Sequence, residues 1–377
     1  MIKKYERRLK MKKSFYFFSV LLILSIPFLV KTADRQITKF QPVEKAVESI
    51  VKNGQLVGAE ILIIENNKPL FHKSFGWADR EQKKELKKNS IWNVASMTKP
   101  FTATAILMLA DDGKLSLDDP LTKYLPGYKG NSKVLIRHLL AMSSGDDGKY
   151  RNGGYSVLDF DNHNDWIMDW AKQKNTGTFG KFAYSGFNYG ALGIIIEKVS
   201  NQSLESFIQE RIVKPLSLTE TFFKYTPDVQ WKNRVPARYQ WNEKDNRFDQ
   251  WWTAEEYPAW KFYNGSMGLW MTAKDYATFM QMWLNNGMHN NIRLLKESTV
   301  REALKIHVNA YGEKDFGHGL GWFIEDNPLT FRYGGGSGVY AKAIPSKNTI
   351  IIYMNHCGIN PYRRVFEDAL DSILFNH

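Results

Sequence analysis

Residues 93–117 read Asn93-Val94-Ala95-Ser96-Met97-Thr98-Lys99-Pro100 and then FTATAILMLADDGKLSL. No charge falls between Pro100 and Ala110, so a buried helix is predicted, with the proline early in it, where a missing N–H costs little. Three residues separate Ser96 from Lys99, which on a helical turn sets their Cβ atoms ~5–6 Å apart on one face. A hydroxyl beside an amine is the arrangement of a nucleophile beside a base. The start of the following helix directs free N–H groups and positive dipole toward Ser96, which suits an oxyanion forming on an attacked carbonyl. Spacing by itself decides little, because Ser49-Ile50-Val51-Lys52 satisfies it too. What sets Ser96 apart is its position after a strand pair, at the crossover into a helical region.

Upstream, QPVEKAVESIVKN (41–53) predicts an amphipathic helix with Val43, Ala46, Ile50 and Val51 on one face, closed by Gly54. AEILIIENN and KPLFHKSFGWAD follow as a hairpin meeting at Asn66-Asn67. Near the other end, GLGWFIED, LTFRYGG, VYAKAIPS and NTIIIYMNH read as strands, and Pro361 to Phe375 as a last helix. Helical patterns dominate from about residue 97 to 283. The fold class expected is α+β: an antiparallel sheet from both chain ends, flanked by helices, with a mostly helical subdomain inserted. A cleft between sheet and insert is the natural ligand site.

The chain has 377 residues, 43% hydrophobic and 14% aromatic, which excludes a disordered protein. One cysteine, Cys357, excludes an internal disulfide and a thiolate zinc cage. Net charge is +12, but residues 1–33 hold eight basic side chains against Glu6, a net of +7, leaving +5 for the rest. Without a basic stripe after residue 34, no nucleic-acid partner is expected. Phe15 to Val30 is uncharged and would span ~24 Å as a helix, short for a bilayer of ~30 Å. Basic start, apolar run and polar exit predict export, to the periplasm or another extracytoplasmic space. Lys31 and Ala33 fit a cleavage site poorly, so residues 1–33 are either a signal peptide or an anchor that holds the protein to the membrane through residues 15–30. The globular domain is expected over 34–377.

Several segments together resemble the class C β-lactamase and D-alanyl-D-alanine carboxypeptidase family of serine hydrolases, from about Gln41 onward. They are NVASMTKPFTATAILMLADDGKLSLDDPLTKYLPGY, IRHLLAMSSG, the tyrosine segment beginning FAYSGFNYGALGIIIEKVSN, the late NGSMGLWMTAKDYATFM and the strand FRYGGGSGVY. The resemblance implies Ser96 as nucleophile, Lys99 as its partner and Tyr184 as general base, with the N–H groups of Ser96 and Gly336 as oxyanion donors. It also implies acyl transfer through a covalent Ser96 intermediate; separately, for want of their motifs, no cofactor and no metal are expected.

Two departures bear on recognition. Gly186 stands where the family's Tyr-x-Asn motif has its amide, and Tyr333-Gly334-Gly335 stands where Lys-Thr-Gly or His-Thr-Gly is usual. Gly186, Asn188, Tyr333, Gly334 and Gly335 are therefore the substrate-binding candidates, Asn188 being either a substitute amide or a capping or turn residue. The intact Ser96, Lys99 and Tyr184 with altered recognition positions favour the esterase and small-amide branch over an efficient β-lactamase or cell-wall peptidase: a small ester, amide or peptide substrate is expected, with β-lactams and D-Ala peptides left open. The alternative is a penicillin- or peptide-binding sensor that acylates without turnover. The rings of residues 239–263 either wall an acyl pocket or pack a loop, and Asp159, Asp161, His163 and Asp165 only faintly resemble a calcium loop. His138 reads as a core histidine. No G-x-S-x-G, H-E-x-x-H, G-x-G-x-x-G or Walker A sequence is present.

Overall fold

Asn66 and Asn67 both adopt left-handed backbone, φ 51° and 61°, the conformation a two-residue hairpin turn requires. They join β1 (Gly58–Glu65) to β2 (Lys68–Asp79), as the sequence predicts. The computed structural model describes residues 40–149, 159–223, 225, 230–258 and 261–358. The expected leader or anchor, residues 1–33, and the expected helix at 361–375 lie outside them.

The chain divides into two units, Met1–Ser49 with Arg363–His377, and Ile50–Tyr362. The described part of the first is Phe40–Ser49, most of helix α1 (Gln41–Lys52). Its buried stripe is Val43, Val47 and Ile50, at spacings of four and three; Ala46 and Val51, expected on that face, are only half-buried. Gly54 ends the helix at φ 69°.

In the second unit β3 (Lys84–Glu85) completes the N-terminal strands. After a long interval come β4 (Val308–Asn309), β5 (Phe316–His318), β6 (Phe323–Asp326), β7 (Leu329–Gly335), β8 (Val339–Ile344) and β9 (Thr349–Asn355). All nine form one antiparallel sheet in the order β4-β5-β6-β7-β8-β9-β1-β2-β3. The first strand therefore pairs with the last, from Ala59 opposite Asn355 to Glu65 opposite Thr349. GLGWFIED is not one strand: Gly321 at φ 111° interrupts it before β6.

Helices α2 (Lys99–Asp111), α3 (Ile136–Leu140), α4 (His163–Ala171), α5 (Gly186–Ser200) and α6 (Ala273–Leu284) occupy the interval. Every residue of α2 from Lys99 to Leu109 is buried, which is why its sequence is apolar all round rather than striped. Phe101 of α2 stacks on Phe279 of α6 with ring centroids 3.8 Å apart, and both join Leu62, Ile350 and Ile352 of the sheet in one core. The interval also holds short strands. Trp92–Asn93, Thr221–Phe222 and Trp270–Met271 form a three-stranded sheet, and Arg238–Asn242 pairs with Arg247–Trp252 as a hairpin. The segment between main-sheet strands thus runs from 86 to 307, wider than the helical stretch of 97–283.

Candidate active site

Ser96 sits in a single turn of 3₁₀-helix, Ala95–Thr98, that leads directly into α2. Ala95 holds φ 44°, a left-handed conformation unusual for a residue with a Cβ, and Asn93 Oδ1 supports the bend by accepting its N–H at 2.8 Å. Lys99 opens α2 and is buried. Its Nζ lies 3.1 Å from Ser96 Oγ and donates to the Ser266 carbonyl at 2.9 Å. Two rings complete its surroundings, with the centroid of Tyr184 at 5.0 Å and that of Tyr189 at 5.9 Å. By contrast, Ser49 and Lys52, the other pair with this spacing, are both exposed on α1.

Tyr184 immediately precedes α5, whose cap is Ser185: the Ser185 hydroxyl accepts the Phe187 N–H and donates to the Asp146 carboxylate. This anchors the turn that aims Tyr184. About 37% of the residue is exposed, yet its hydroxyl end is enclosed by Lys99, Ser96 and Tyr333. Burial there pushes the phenol pKa up, but the Lys99 charge and the polar groups of Lys99, Ser96 and Tyr333 around it outweigh it, and the net shift is downward. Tyr333 shifts the opposite way: full burial and the neighbouring Tyr184 charge hold its phenol well above the usual value. His318, buried beside Tyr333 with ring centroids 6.1 Å apart, is pushed down to about 4 by burial and stays neutral.

The Lys99 contact to Ser266 was not foreseen, although the NGSMG turn was. Asn264 Oδ1 accepts the N–H groups of Ser266 and Met267 and the Ser266 hydroxyl, which fixes the turn. Gly265, at φ 72°, offers its carbonyl to Thr102 Oγ1 at 2.7 Å.

The end of β7 docks against the Ser96 turn. A Cβ at Gly335 would fall 2.6 Å from the Val94 carbonyl, so only glycine permits this approach. Ser337 Oγ donates to the Asn93 carbonyl at 2.6 Å. Gly334 pairs with Tyr340 in the ladder, and a Cβ at Gly336 would meet no atom within 4 Å. Gly186 is similarly roomy, its nearest neighbour being Ser266 Oγ at 3.6 Å from such a Cβ. Asn188 is different: it is fully buried within α5, its Oδ1 accepting from Ser144 Oγ at 2.8 Å, so it neither caps a helix nor offers its amide to a ligand.

Ser96 and Gly336 open on a cavity of about 370 Å³ whose walls include Trp251, Trp252, Tyr257 and Trp270. The aromatic segment divides accordingly. Trp251, Trp252 and Tyr257 face the cavity; Trp241 packs on Phe248, Phe262 on His163, and Tyr263 is buried; Trp260 lies outside the described residues. The supposed calcium loop is dispersed, with Asp161 paired to Lys261 and His163 buried against the Gly190 carbonyl. Among the described residues no group of three acidic, histidine or cysteine side chains is placed to hold a metal. His138 is half-buried, its Nδ1 accepting the Leu135 N–H at 3.0 Å.

The beta-lactamase family profile matches residues 43–368. Protein Rv1367c of Mycobacterium tuberculosis (strain ATCC 25618 / H37Rv) is 26% identical over 361 residues, covering 83% of this chain and 89% of that protein. Among solved structures, EstCE1, described as a hydrolase with promiscuous acyltransferase activity, superposes with a TM-score of 0.76 at 21% identity, covering 89% of this chain and 99% of that one. A class C beta-lactamase from Rhodobacter sphaeroides does so with a TM-score of 0.69 at 17% identity, covering 88% and 99%. With the helices and antiparallel sheet of that fold and a family match spanning most of its length, the chain belongs to the beta-lactamase family of serine hydrolases.

Proposed function

We propose that the protein is an exported hydrolase that cleaves a small ester or amide through an acyl-enzyme on Ser96. The observation that carries this reading is the 3.1 Å separation of Lys99 Nζ from Ser96 Oγ beneath the Tyr184 ring. Ser96 Oγ attacks the substrate carbonyl while the coupled Lys99–Tyr184 pair takes its proton; the lowered pKa of Tyr184 favours the phenolate oxygen as acceptor. The oxyanion is held by the N–H groups of Ser96 and Gly336. The leaving group departs with the proton the pair returns, and water, activated by the same pair, releases the acid.

Gly186 and Tyr333-Gly334-Gly335 supply neither the amide nor the cation that a β-lactam or peptide carboxylate would meet, which supports esters and small amides as substrates. The basic, then apolar, order of residues 1–33 supports export, with residues 15–30 either removed or kept as an anchor. The role of the protein is tested with short acyl p-nitrophenyl esters, nitrocefin and D-Ala-D-Ala peptides, alongside intact mass after fluorophosphonate labelling. Ester turnover and a single adduct lost in Ser96→Ala but retained in Ser49→Ala is the expected outcome. A stable adduct with no turnover of any substrate overturns hydrolysis in favour of the sensor reading. Cell fractionation of the full chain tests export.

A further inference from the structure

The geometry points to an acyl group that carries its own carboxylate, read by Arg238 in the aromatic cavity beside Ser96. This rests on the hydrolase reading above and names the substrate class. In acylation the Ser96 Oγ–carbonyl bond forms, the bond to the leaving oxygen or nitrogen breaks, and that atom receives the serine proton. The leaving group must therefore lie beside Tyr184 and Lys99, the groups that hold the proton. Neither of them lines the cavity, whereas Ser96 and Gly336 do. The cavity is accordingly on the acyl side, away from where a β-lactam or peptide places its carboxylate.

Arg238 is the one charged side chain among the described residues of the wall. It enters from the 238–252 hairpin, its Cζ 5.4 Å from the Trp251 ring centroid and its Nη2 donating to the Gly336 carbonyl at 3.2 Å. These two contacts fix the guanidinium next to the proposed oxyanion site. Its Nε is buried without a hydrogen-bond partner, and no carboxylate among the described residues pairs with it. The guanidinium is half-buried against Trp251, Trp252 and Tyr257, with its Nη2 edge exposed, and no counter-ion stands on the described wall. A carboxylate in the cavity meets the exposed guanidinium edge with charge-assisted hydrogen bonds. The substrate class that fits is a half-ester or half-amide of a dicarboxylic acid, with an apolar spacer lying on the rings.

The test compares mono-p-nitrophenyl glutarate with its methyl diester, of like reacting end but without the charge. Wild type is expected to favour the half-ester in kcat/KM by about tenfold, the scale of one hydrogen bond between charged groups. In Arg238→Met that ratio falls to within about twofold of unity, and Arg238→Lys keeps part of it, because a point charge replaces a fork. Taking the ratio within each variant cancels any loss of folded protein. Independently, phenylbutyrate is expected to quench the cavity tryptophans saturably in wild type but not in Arg238→Met, with phenylbutyramide inert in both. A wild-type ratio near unity, or one that survives Arg238→Met, overturns the inference and leaves the hydrolase standing. Should neither ester be turned over, Arg238-dependent phenylbutyrate binding upholds the anion pocket while the hydrolase reading falls, and its absence removes the pocket as well.

Discussion

The turn that carries Ser96 and the end of β7 that docks on it touch one another, yet they are built on opposite terms. Around Ser96 everything is committed: Lys99 is buried, hydrogen-bonded to Ser266 and flanked by two rings. At Gly336, across the contact, there is room for a side chain and an open cavity beyond. A proton can be exchanged only between groups held at fixed short range, so the proposed trio of Ser96, Lys99 and Tyr184 would tolerate no slack. Recognition tolerates replacement, because a binding group can arrive from any element that reaches the wall, the role proposed for Arg238.

Four substitutions, or sets of them, strain that contrast, in falling order of expected effect. Ser96→Ala should lower ester turnover by at least about a thousandfold, since no nucleophile remains; residual covalent labelling of that variant would relocate the site. Lys99→Ala and Tyr184→Phe should each cost at least about a hundredfold in kcat/KM. In Lys99→Ala the acid limb of the rate profile should also move up toward the ordinary phenol value near ~10, because the charge that depresses Tyr184 is gone. The sign follows from the folded state: a lowered phenol pKa keeps the active phenolate populated to lower pH, and removing its cause withdraws that. An unmoved limb in Lys99→Ala shows that Tyr184 is not the titrating base.

Gly335→Ala probes the contact itself. With the Val94 carbonyl 2.6 Å from the new Cβ, the variant should lose roughly 1–3 kcal/mol of stability, visible as a lower Tm. The matching change at Gly336, where nothing is near, should leave Tm within error while altering KM. Smallest of all, Gly186→Asn restores the family's amide in open space; it should leave ester turnover within about threefold and raise the rate on small amides, where one hydrogen bond contributes ~1 kcal/mol. If the amide rate does not move, Gly186 is not at the substrate's edge.

How much of this was legible in the sequence follows the same division. Helix α2 and the Ser96–Lys99 pair were readable because a residue spacing of three is a distance on a helix, and because an apolar run with no polar face has only the core to occupy. The hairpin at Asn66-Asn67 was readable because few residues tolerate left-handed backbone. The three-stranded sheet of Trp92–Asn93, Thr221–Phe222 and Trp270–Met271 was not, since two residues cannot display a period of two. The Ser266 carbonyl on Lys99 is a backbone atom and carries no side-chain signal at all. Asn188 misled for the reverse reason: an amide in the right neighbourhood of the chain was turned inward, to Ser144, by its place on α5.

The pairing of β1 with β9 has a consequence for how the protein comes into being. Strand Gly58–Glu65 emerges early in synthesis but cannot find its neighbour until Thr349–Asn355 has been made, so one edge of the hairpin stays bare while nearly three hundred residues follow. The two halves of the sheet meet only at this pairing, so a polypeptide cut short before Thr349 would lack the strand that joins them, while retaining Ser96 and Lys99.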